Sequence, residues 1–98
     1  MPSVHNAVAD TLQFLGLDAL LNETTIADPN APECPRYWTV QLFCKDDVST
    51  THPLHRAVFS VRLRSGGAYE VRVLGRAQSA IGDMDRRMIN ILEFMLAA

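Results

Sequence analysis

The strongest constraint on this chain lies between residues 59 and 73. Phe59, Val61 and Leu63 alternate with Ser60, Arg62 and Arg64, and Tyr69, Val71 and Val73 alternate with Glu70 and Arg72. Side chains in a strand point to opposite faces with a period of two, so each run has one apolar and one polar face. The "SGG" between them predicts a hairpin turn. An antiparallel sheet with a single apolar face must be covered, so the rest of the chain has to supply a lid. Ile81, Met84, Met88, Leu92 and Met95 step by three or four residues and predict an amphipathic helix suited to that task. Ser79 is a natural N-cap for it, and Asp83 and Asp85 suit its positive end.

Upstream, Val4, Val8, Leu12 and Leu15 recur at helical spacing, Gly16 interrupts, and "LDALLNE" predicts a second helical stretch. Residues 24–36 hold three prolines and no period, and are expected to form a loop. "YWTVQLFCK" is rich in strand formers. The expected fold class is therefore α+β, in the order α-β-β-β-α. Three antiparallel strands would carry two helices on one face. Residues 1–16 would form an N-terminal helical extension to a domain spanning 17–98.

The chain has 98 residues, 48% apolar and 20% charged, as expected of one soluble globular domain. No apolar run approaches the roughly 20 residues of a membrane-spanning helix, and the start lacks the pattern of a signal peptide. Cys34 and Cys44 make no disulfide framework, which points to a reducing interior, cytoplasmic or nuclear. The net charge of −2 divides unevenly: residues 1–54 carry two cations against seven acids, and residues 55–98 carry seven arginines against four acids. That balance is far from the strongly basic one of a nonspecific nucleic-acid binder, and favours self-association or a charged protein partner.

Short motifs add a resemblance. Leu21-Asn22-Glu23, Pro35-Arg36-Tyr37, His52-Pro53-Leu54-His55 with Phe59, Val61 and Leu63 in register, and Gly75-Arg76-Ala77-Gln78-Ser79 occur in that order. In this, residues 17–98 resemble the double-stranded RNA-binding domain. The resemblance implies that Glu23 on a first helix, and Pro53 and His55 in a loop, face successive minor grooves of A-form RNA. Were RNA binding retained, Arg56 and Arg76 would join these contacts, with Arg86 and Arg87 standing in for the lysines the family carries at its last helix. The pattern breaks after Ser79, where the family places lysines and this chain reads "AIGDMD". Losing those cations removes most of the sequence-independent affinity. Degenerate members of the family often bind proteins or dimerise. The resemblance therefore implies a non-catalytic interaction module in RNA processing or silencing, with weak or no RNA binding. Genuine duplex RNA binding is the alternative.

The last helix is apolar nearly all round towards its end. Ile89, Ile91, Phe94 and Leu96 are therefore expected to form a protein interface, joined by Val4, Val8 and Leu12 of the first helix. A homodimer or another protein would be the partner, duplex RNA a further candidate, with no membrane, small-molecule substrate or cofactor. Arg62, Arg64 and Arg72 are expected as a basic stripe on the open face of the sheet. Cys34, Cys44, His52 and His55 hold the donor types of a zinc site, though at the spacing of no common zinc motif. Cys44 with either histidine has no recognisable orienting acid, so catalysis is not expected.

Overall fold

The computed structural model describes residues 3–27, 37–45, 51–64, 66–75 and 82–97. Among them the chain forms α1 (Val4–Phe14), β1 (Glu23–Ala27), β2 (Tyr37–Phe43), β3 (Val58–Leu63), β4 (Tyr69–Gly75) and α2 (Asp83–Ala97). The strands make one antiparallel sheet in the order β1-β2-β3-β4, so each strand pairs with its neighbour in sequence. The α+β class agrees with expectation, but the sheet has four strands rather than three, and of the expected helices only the N-terminal one and the last form among the described residues.

The additional strand takes residues 24–27 from the expected loop and Glu23 from the end of the expected second helical stretch. Ser3 opens α1 by accepting the Asn6 N–H at 3.1 Å. Gly16, at φ 72°, closes it. The Gly16 N–H then donates to the Gln13 carbonyl and the Leu17 N–H to the Leu12 carbonyl, the pair of bonds that defines a Schellman end. Beyond it only one turn forms, with the Leu20 and Leu21 N–H groups both donating to Leu17. Thr24, Thr25 and Ile26 are β-branched and stiff at χ1, which suits a pleated strand better than a helix. They pair with Leu42, Gln41 and Val40. Glu23 thus opens a strand instead of closing a helix.

The hairpin between β3 and β4 closes where the Arg64 N–H donates to the Ala68 carbonyl at 2.8 Å. Gly67 at φ 86° takes the left-handed conformation that turn requires. The registers Val40↔Phe59 and Val61↔Val71 align one apolar face across the sheet. Those residues share a buried cluster with Val4, Ala7, Val8 and Leu12 of α1 and Met88, Leu92 and Leu96 of α2. The helices pack on each other, and α2 lies along β4. The segment before residue 17 is thus built into the same core as the rest. Ser79 and Ile81 lie outside the described residues, and α2 starts at Asp83. Among the described residues no helix is long and apolar enough to cross a membrane.

Candidate functional site

The loop between β2 and β3 carries both central histidines, and the backbone uses each ring. Nδ1 of His52 accepts the Leu54 N–H at 3.1 Å, two residues on, as an Asn or Asp does in a side-chain-capped turn. The His55 N–H donates to the His52 carbonyl, and the Ala57 N–H to the Leu54 carbonyl. Leu54 and Ala57 are fully buried and pin this turn to the core. Between them Arg56 is exposed at φ 55°, an uncommon conformation for a residue with a Cβ. Nδ1 of His55 accepts the Cys44 N–H at 3.4 Å and so ties the loop to the end of β2.

That tie brings several residues to one end of the sheet. Glu23 stands opposite Phe43, next in sequence to Cys44. The Lys45 N–H donates to the Leu20 carbonyl at 3.3 Å. Glu23, Lys45, Pro53, His55 and Arg56 therefore share a rim, with Glu23, Lys45, Pro53 and Arg56 exposed and His55 half-buried. Glu23 lies on a strand, so the helix-borne groove contact implied by the resemblance has a different geometry here. Arg76 lies outside the described residues.

The N-terminus of α2 is occupied by the chain itself. Asp85 is 1% exposed, and its carboxylate accepts the Gly82 N–H at 2.8 Å. The Arg86 N–H donates to the Gly82 carbonyl as the first backbone bond of α2, so Asp85 supplies the acidic half of a capping box whose N-cap, Gly82, has no side chain to return the bond. Arg86 also pairs with Asp83 at 2.9 Å. A helix N-terminus favours an anion, and here a side-chain carboxylate already fills that place. Arg87 is exposed on the same helix.

The outer face of the sheet carries Arg62, Arg64 and Arg72, as expected, all exposed. Glu70 runs between them. It pairs with Arg64 and, at 3.0 Å, with Arg72. The Arg64 hydrogen bond, with the charges of both arginines, holds its carboxyl below the usual carboxylate range. The stripe is an arginine–glutamate ladder rather than a row of isolated cations.

The expected interface residues divide. Val4, Val8, Leu12 and Leu96 are at most 5% exposed and belong to the chain's own core, so they are not available to a partner. The continuous apolar circumference of α2 misled here, because α1 covers one more side of it than a sheet alone would. Ile89 packs half-buried against the core. Ile91 is half-buried, while Phe94 is 71% exposed on the outer side of α2. Phe14 is similarly exposed at the end of α1, a position the spacing rule does not single out.

Cys34 lies outside the described residues, and among those described no three His, Cys, Asp or Glu side chains gather as a metal site would require. No family model, no curated protein and no solved structure matches the chain.

Proposed function

We propose that the chain is a non-catalytic interaction module that binds a protein partner or a second copy of itself, with little affinity for duplex RNA. The RNA-processing or RNA-silencing setting rests on the motif resemblance around His52–His55 and Gly75–Ser79. The observation that carries the reading is the buried Asp85 at the start of α2. A phosphate approaching that helix end would have to displace a carboxylate bonded at 2.8 Å and meet Asp83 beside it. The loss of cations in that turn removes the counterion release on which phosphate affinity depends. The engagement of both histidine rings by backbone N–H groups gives them a structural task that requires no ligand.

The test is a titration of the whole chain with a duplex RNA of about 20 base pairs, at low and raised salt. The expected result is no binding in the micromolar range. Salt-sensitive micromolar binding that falls on charge reversal at Arg86 and Arg87 would overturn the reading in favour of an RNA-binding domain.

A further inference from the structure

The two edges of the sheet are treated very differently. Strand polar groups alternate in direction, so the residues that bond one neighbour leave the intervening ones facing the other side. The Leu42 N–H donates towards β3, to the Ala57 carbonyl. By alternation Tyr37, Thr39, Gln41 and Phe43 face β1, and in β1 the groups of Glu23, Thr25 and Ala27 face β2. Thr24 and Ile26 then present two N–H and two C=O groups to the outer side of β1. The same rule makes Val71 face outward from β4, and its N–H is taken by the Glu93 carboxylate of α2 at 3.3 Å. The register shift between Val58 and Phe59 adds a bulge at Leu74, a second device that blunts the β4 edge. Among the described residues β1 has neither device, and no strand pairs with its outer side.

We propose that β1 is a strand-addition surface whose occupant is β1 of a second copy, running antiparallel about a two-fold axis at Thr25. This rests on the interaction-module reading and names its partner. The register is self-complementary. Thr24 faces Ile26 of the second copy, both exchange N–H and C=O, and symmetry repeats the exchange, so all four outward groups are satisfied. Glu23 then lies opposite Ala27, not opposite its own counterpart, and no like charges face each other. Parity is kept as well. Thr24 and Ile26 lie on the core side of the sheet, where Thr24 is exposed and Ile26 only half-buried. Pairing lays the isoleucine of each copy beside the threonine of the other and extends the apolar face across eight strands.

Thr25, on the outer face, would meet its counterpart in a non-hydrogen-bonded pair. In such pairs Cβ atoms come within roughly 4.5–5.5 Å, close enough for a disulfide to form with small adjustment. The full chain carrying Thr25→Cys, oxidised alongside the unaltered chain and Ala27→Cys, tests the register. Two copies of position 27 would stand about 14 Å apart, beyond reach. The expected result is a dimer linked through the two position-25 thiols, in excess of both controls. Thr24→Pro removes an N–H that the β1–β2 ladder does not use. It should shift the sedimentation of the chain from dimer to monomer while the circular dichroism is unchanged. A chain monomeric at every concentration overturns the proposal and leaves the edge to an extended segment of another protein. A position-25 link no stronger than the position-27 control, or a dimer that survives Thr24→Pro, also overturns it. None of these outcomes alters the RNA titration, so the two readings fail separately.

Discussion

His52 shows how one side chain can look functional and serve the fold. Its ring caps the Leu54 N–H through Nδ1, which requires that nitrogen to be unprotonated. Partial burial lowers its pKa from the ordinary value of 6.5, because removing water disfavours the charged ring. With the folded value lowered, the unfolded chain takes up the proton first. The neutral ring costs nothing above the unfolded value, and stability declines as pH falls from there towards the folded value. Unfolding midpoints in urea should therefore drop between about pH 7 and pH 5.5. His52→Asn keeps an acceptor for Leu54 without the titration, and its midpoint should drop less over that range. Equal slopes for the two chains would remove His52 as the cause.

At the scale of elements, α2 both roofs the core and guards an edge. Glu93 reaches from its flank to the Val71 N–H, so the helix protects the strand it lies along. Glu93→Ala should cost about 0.5–1.5 kcal/mol in chemical denaturation, the net worth of one such bond. It should also raise the tendency to aggregate, since it opens a strand edge. Glu93→Gln keeps a carbonyl acceptor and should behave nearly as the unaltered chain does. An unchanged midpoint for Glu93→Ala would show that solvent serves Val71 equally well. The hairpin β3–β4 and the core stripe Met88–Leu92 were legible in advance because their periods are clean over many residues. β1 was not, because five residues beside a proline-rich stretch are too few to show a period. The β-branched run Thr24–Ile26 was the one signal present.

For the molecule as a whole, the first helix decides whether there is a smaller folded unit inside the chain. Val4, Val8 and Leu12 are buried among α2 residues. Each such side chain contributes roughly 1.5–3 kcal/mol, so together they approach the roughly 5–15 kcal/mol that holds a typical domain folded. Deleting residues 1–16 should abolish the cooperative thermal transition seen by circular dichroism. A sharp transition retained by residues 17–98 would show instead that the helix is an accessory. The hairpin, the amphipathic terminal helices, the absence of a basic helix start after Ser79 and the arginines of the outer face all follow from local period and charge, and are legible in the residues alone. The tertiary structure was needed to place Val4, Val8, Leu12 and Leu96 in the core rather than at an interface. It alone decided that Glu23 opens a strand, that His52 and His55 hold their own loop, and that β1 is left as the open edge. Each of these depends on which element lies beside which, and such long-range neighbours leave no period in the residues that meet.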